Sequence, residues 1–420
     1  MMTRNSSALD VAIVGAGPYG LSLAAHLREQ GVEFRIFGEP MGLWKDNMPK
    51  NMLLKSCPQF SNIADPEDEF TIKSYCAEQS VPYHNELIPL PLERFVQYGD
   101  AFHVRYVPML ERKRLVSVEL ATTRWRAHFD DGETVEARRL VLAIGLRPFR
   151  HLPEQALHLS AEVASHSSDY GPLASLDGKE VVIVGSGASA TDLAALIHER
   201  GARVTLVMRQ NEIRFAGRPR QRSLLERMLT PRAGIGSGWT IAACSAFPEL
   251  IHALPAAQRL RLANTPALGP AGGAFMHDRV LGKVPVVFGR SLERAEERNG
   301  KVELYLNGPS GRQVVAADHV IFATGYKTDI ARFDVLPASL VGRMATVECA
   351  PQLSSHYETS LPGLHVIGPA AANSFGPVCR FVYGTRYPAR HLARYLPRIL
   401  ARRSVIAPKL QPLSETVLQQ

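Results

Sequence analysis

Two glycine turns carry the residue types and spacing that chemistry on a pyrophosphate requires. The first is Gly15-x-Gly17-Pro18-x-Gly20, between an apolar run at 11–14 and a helical pattern at 21–27. The second is Gly185-x-Gly187-x-Ser189-Ala190, between an apolar run at 180–184 and a helical pattern at 191–199. In a strand–turn–helix of this kind, backbone N–H groups close on the pyrophosphate at the helix N-terminus, where the macrodipole favours negative charge. Alanine in the third glycine position still lets helix and strand pack closely. One such turn is weak evidence, but two in the same context predict two dinucleotide sites.

The residues after each neighbouring strand separate the two nucleotides. Residues 33–37 read as a strand followed by Gly38 and Glu39, and Glu39 is the expected ligand of the ribose hydroxyls. The equivalent strand of the second copy, 203–208, ends in Arg209. A carboxylate there would repel the extra phosphate of NADP, whereas a guanidinium binds it in a fork, so NADPH is expected over NADH. Between them, 41–56 is a polar loop bearing large apolar groups, suited to covering a flat ring. Its Trp44 either lies against such a ring or plugs the space beneath the loop.

The elements that must position these groups form an architectural repeat. Short alternating runs at 115–120, 125–129 and 134–137 predict an antiparallel meander, with a continuous apolar return strand at 140–145. A second meander, 302–306 and 313–316, returns through 320–326. First glycine to returning glycine spans 130 residues in one copy and 140 in the other. The expected fold is therefore α/β, with two Rossmann-like dinucleotide-binding domains, each carrying a meander. An FAD-binding domain would comprise 1–170 and 316–420, and an NADPH-binding domain 176–315. Residues 211–284 break the pattern and read as a helical insertion that serves as a substrate lid. A last apolar strand ends at Gly368, where backbone N–H groups would reach the flavin ribityl chain and ring. Residues 387–402 form an amphipathic helix with leucines on one face and arginines opposite, read as docked on its domain, with membrane-surface binding as the alternative. A nicotinamide facing a flavin in one chain is the arrangement for hydride transfer.

Composition narrows the class. With 45% hydrophobic and 21% charged residues the chain reads as an ordinary globular protein, and its net charge of +8 fits anionic cofactors. No nucleic-acid module is present. The 5 cysteines lack metal-ligand or C-x-x-C spacing, so no metal site is expected. Residues 1–10 are polar and no run is long and apolar enough to span a membrane, so a cytoplasmic location is expected. Oligomeric state is not encoded in any motif here.

Gly15-x-Gly17-x-x-Gly20, Gly42-Leu43-Trp44, Gly185-x-Gly187-x-Ser189-Ala190 and Phe322-Ala323-Thr324-Gly325-Tyr326 together resemble class B flavin-dependent monooxygenases, the flavin-containing, Baeyer–Villiger and N-hydroxylating enzymes. Of that family's inter-domain fingerprint only the second half is present, as His166 to Tyr170, with Ser160 and Glu162 at the Phe and Gly positions. The run from Asp65-Pro66 to Tyr75 is similar to a stretch of ornithine and lysine N-hydroxylases. The resemblance implies FAD and NADPH as cofactors, Gly325 and Tyr326 as cofactor-site residues, and insertion of one oxygen atom from O2 into a small organic substrate through a C4a-(hydro)peroxyflavin. It places Asn47 and Lys55 near the flavin, where they would meet substrate or NADP⁺. No catalytic acid or base is singled out, because such enzymes act by positioning and by excluding water. The alternative is a flavoprotein NADPH reductase or oxidase that passes electrons to a protein or small acceptor.

Overall fold

The computed structural model describes residues 9–84, 88–217, 223–265, 268, 271–309 and 311–404. Its first sheet starts from β1 (Leu9–Val14), whose Val11, Ala12 and Ile13 are buried, as a strand covered on both faces must be. Helix α1 (Pro18–Glu29) follows, with proline at a first-turn position where its missing N–H costs nothing. β2 (Phe34–Phe37) then pairs parallel with β1. A five-residue helix α2 (Gly42–Asp46) and α3 (Ile72–Glu78) lead to α4 (Leu92–Tyr106), which buries Phe95, Tyr98 and Phe102 on one face.

β3 (Leu115–Ala121), β4 (Arg124–Phe129) and β5 (Thr134–Leu142) pair antiparallel in sequence, and β5 returns to lie parallel beside β1. The late strand Leu364–Val366 joins the other side of β5. The fully buried Trp125 ties the two together, its indole N–H donating to the Pro362 carbonyl at 3.0 Å.

The second sheet repeats the plan. β6 (Ala164–His166), β7 (Glu180–Val184), helix α5 (Ala188–Glu199) and β8 (Arg203–Val207) combine with Val286–Val287 and His319–Phe322, all pairing parallel. Ser291–Arg298, Lys301–Gly308 and Gly311–Ala317 form a separate antiparallel sheet. Position 316 falls inside the strand Gly311–Ala317, and β6 and His319–Phe322, placed by sequence with the first domain, hydrogen-bond within the second sheet.

The insertion also attaches in a way its sequence does not announce. Its helix Pro248–Ala253 places His252 flat on Phe375, with ring centroids 4.6 Å apart. Arg380 donates to the Ala263 carbonyl at 3.0 Å. The insertion therefore leans on the turns that follow the late strand of the first sheet. The last described helix, Arg386–Ser404, buries Leu392, Leu396 and Leu400 and packs against α1.

Candidate cofactor clefts and the seam between them

Parallel register brings the decisive residues to one edge of each sheet. Val14 pairs with Phe37 and Leu142, and Val366 with Leu142, so all four strands end together. Val184 pairs likewise with Val207 and Phe322. Ligands of open α/β sheets bind in the crevice beyond such carboxyl ends.

The two turns are built alike. Gly15 (φ +113°) and Gly185 (φ +151°) each sit where an added Cβ would meet a carbonyl oxygen, Ala143 at 2.5 Å and Ala323 at 2.4 Å respectively. Gly20 permits close helix–strand contact, since a Cβ there would stand 1.8 Å from the Gly15 oxygen. Ala190 fills the same role in the second copy and is fully buried. Gly17 and Gly187 are the N-caps of α1 and α5, with nearly equal backbone angles and no side-chain cap. Their orphan first-turn N–H groups suit an anion. A Cβ on Gly17 would meet nothing within 4 Å, so the space in front of that helix end is open. These features fit the pyrophosphate of a dinucleotide in both places.

The remaining expected residues fall around these edges. Glu39 follows β2 directly, partly exposed, with Arg112 at 3.6 Å and Lys45 at 3.8 Å. Trp44 is partly buried and stands edge-on to Phe95 at 4.7 Å. Ser189 and Arg209 are exposed, Arg209 at the end of β8. Gly368 (φ +90°) follows the late strand and abuts the Tyr19 ring, 3.6 Å from its would-be Cβ. Tyr19, which sequence reading passed over, donates to the carbonyls of Cys379 and Phe381, both at 2.9 Å. It thereby fastens the first glycine turn to the C-terminal turns.

The surviving half-fingerprint proves to be a clasp. His166 is buried; its Nδ1 accepts from the Ser168 N–H at 3.1 Å and its Nε2 lies 3.1 Å from the Gly325 oxygen. That pattern selects the neutral ring protonated on Nε2, and burial pushes its pKa down to about 4. The Tyr170 hydroxyl meets Ser165 Oγ at 2.7 Å and His319 Nε2 at 2.8 Å. Tyr326 sets its ring 5.3 Å from His166, with burial raising its hydroxyl pKa. The Gly325 carbonyl also accepts from the His151 N–H at 2.9 Å. Burial lowers the His151 pKa, and the charges of Lys327, Arg332 and Arg209 lower it further.

Asn47 and Lys55 both lie on the seam between the sheets. Asn47 is buried and its amide donates to the Ser168 carbonyl at 2.8 Å, a structural use. Lys55 crosses to the insertion, donating to the Ala271 carbonyl at 2.9 Å. Burial lowers its pKa, and the opposing charge of Asp192 on α5 counters that. Asp192 is 7% exposed, and its Oδ1 has no hydrogen-bond partner among the described residues. Burial raises its carboxyl to about 7, against the pull of Arg279 and Lys55. A lone acid within the apolar helical run 190–197 was the available signal for it.

The family model described as pyridine nucleotide-disulphide oxidoreductase matches residues 9–239, more than half of the chain. The chain belongs to this family. Its 5 cysteines include no C-x-x-C pair of the kind a redox disulfide uses. Among sequence relatives, the indole-3-pyruvate monooxygenase YUCCA1 of Oryza sativa subsp. japonica is 25% identical over 340 residues, covering 76% of this chain and 77% of that one. The ornithine N-hydroxylase KtzI of Kutzneria sp. 744 superposes with a TM-score of 0.74 at 16% identity, covering 94% of this chain and all of that one. The reduced ornithine hydroxylase PvdA of Pseudomonas aeruginosa gives 0.73 at 17% identity over the same share. At such identities the two structures establish the fold, an α/β flavoprotein fold with mixed sheets. Membership and relatives together make the chain a flavin-dependent oxidoreductase of the monooxygenase kind, with FAD and NADPH as its cofactors.

Proposed function

We propose that the protein is an NADPH- and FAD-dependent monooxygenase that inserts one oxygen atom of O2 into a small organic substrate. The observation that carries this reading is the duplicated, uncapped glycine-turn helix N-terminus, open at Gly17 and facing a seam that holds Lys55 and Asp192. FAD belongs on the turn of α1, with Glu39 on its ribose and Gly368 near its ring; NADPH belongs on the turn of α5, with Arg209 at its 2′-phosphate. Bound FAD supplies oxygen activation, as the C4a-(hydro)peroxide that the family resemblance implies. The chain contributes position and dryness: α2 and its following loop wall the seam, the His166 clasp holds Gly325 in place, and the insertion residues 211–284 close over it as a lid. Lys55 is the residue available to a polar group of the substrate, whereas the Asn47 amide is committed to Ser168. Residues 1–170 and 316–420 serve FAD and 176–315 serve NADPH, with β6 and His319–Phe322 of the FAD part pairing within the second sheet; the location is cytoplasmic.

The test is stopped-flow absorbance of the NADPH-reduced protein mixed with oxygenated buffer. A transient flavin species that outlives its counterpart without NADP⁺ is expected. Direct reoxidation with full coupling to an added electron acceptor would replace this reading with that of an NADPH reductase.

Arg209→Asp tests the nucleotide choice. Loss of one charge-assisted pair is worth roughly 1–3 kcal/mol, so the KM for NADPH should rise about tenfold or more with that for NADH unchanged. The charges of Lys327 and Arg332 act on His151 as that of Arg209 does, which keeps binding from vanishing altogether. Equal effects on both nucleotides would remove Arg209 from the phosphate site.

A further inference from the structure

A cavity of about 420 Å³ lies along one face of the helix Arg386–Ser404. Arg386, Arg390, Arg394 and Arg398 line it at four-residue spacing, so they form one stripe about 18 Å long. Asp68 pairs with Arg386 at 3.0 Å and with Arg390, which leaves Arg394 and Arg398 without an ion pair to any described residue. Glu249, on the neighbouring insertion helix, acts electrostatically on Tyr387 and Tyr357 and forms no ion pair with the stripe among the described residues. The helix is held from behind by its buried leucines, so the stripe is fixed in place.

The opposite wall of the cavity is the insertion, at Ser245, Ala246 and Pro248. That segment carries an unusual load of exposed apolar surface. Phe247, between the lining residues Ala246 and Pro248 in the chain, is 50% exposed, Leu250 is 60% and Trp239, at the start of the helix Trp239–Ala246, is 67%. Leu224, Leu225, Met228 and Leu229 of the short helix Leu224–Leu229 are more than half exposed as well. Concentrated apolar exposure beside uncompensated arginines is the composition of a surface that lies in the headgroup region of a bilayer.

We infer that this face is a docking site for an anionic membrane surface, the arginine stripe taking lipid phosphates and the insertion placing Trp239, Phe247 and Leu250 among the acyl chains. No described helix is long and apolar enough to cross a membrane, so the protein would lie on the bilayer. A water-soluble phosphate would satisfy the arginines and leave the apolar rim without a purpose. A second copy docked about a two-fold axis would set the same unpaired arginines against each other.

The flavin-loaded full-length protein is tested by co-sedimentation with vesicles of phosphatidylcholine alone or with added phosphatidylglycerol. Binding should require phosphatidylglycerol and weaken with salt. Arg394→Glu/Arg398→Glu should lower partitioning at least about tenfold while NADPH oxidation stays unchanged, since neither residue touches the cofactor clefts. Trp125 is buried and Trp44 partly so, which makes Trp239 the reporter: its emission should shift blue on vesicles and be quenched by brominated lipid, and Trp239→Phe should abolish the shift. No binding to either vesicle, or undiminished binding by the charge-reversed variant, overturns the inference. So does glycerol phosphate saturating the arginines with Trp239 unshifted by vesicles, or a dimer in sedimentation equilibrium that shields Trp239.

Discussion

Gly17→Val is expected to give a folded protein that purifies without its yellow flavin. The backbone at Gly17 (φ −80°, ψ −174°) is extended and open to any residue, and an added Cβ touches no protein atom within 4 Å. The side chain would instead occupy the space where a pyrophosphate must approach the orphan N–H groups of α1. Flavin affinity should fall at least about a hundredfold, or about 2.7 kcal/mol, with the melting temperature of the apo protein unchanged. Gly20→Val is the contrasting control. Its Cβ would stand 1.8 Å from the Gly15 oxygen, so that variant should fail to fold. A Gly17→Val protein that retains stoichiometric FAD would remove the first turn from the flavin site.

The second large effect concerns stability and pH. Asp192 has its pKa raised by burial from an ordinary carboxylate value of 3.8 to about 7. A raised acid pKa means the folded state resists ionisation that the unfolded chain accepts. The penalty is absent below about pH 4, grows as the pH rises, and is complete above about pH 7, where it reaches about 4 kcal/mol. Asp192→Asn removes the ionisation and should therefore melt above wild type at pH 8, with the gap closing as the pH falls to 4. A gap that stays constant across this range would show that Asp192 is not the titrating group. A protein that keeps such a group at the seam, facing Lys55, sacrifices stability there, which is how functional sites commonly stand apart from the core.

Both variants separate what could be read early from what could not. The glycine turns, the strands before them and the return strands were legible because each rests on local rules: period-2 or continuous apolar runs, and turns that only glycine fits. The repeat of architecture was legible for the same reason, and it carried FAD and NADPH with it. Helix α3 was less so: it begins only at Ile72, because the Asp65 carboxylate accepts from the N–H groups of Glu67, Glu69 and Phe70 in a preceding turn. Trp44 stayed ambiguous because an aromatic ring is equally at home on a flavin or on Phe95, and only its neighbours choose.

By itself, then, the sequence determined the two glycine turns, the strands that flank them and, through the family resemblance, the cofactors FAD and NADPH, all from residues adjacent in the chain. Only the tertiary structure decided what Asn47 and Lys55 touch, since their partners Ser168, Ala271 and Asp192 lie more than a hundred residues away. The same holds for the His166 clasp on Gly325, for Tyr19 bonding across to Cys379 and Phe381, and for the insertion settling on Phe375 and Arg380. Hydrogen bonds and burial across such separations depend on how the two sheets come together, and no local pattern of residue types records that.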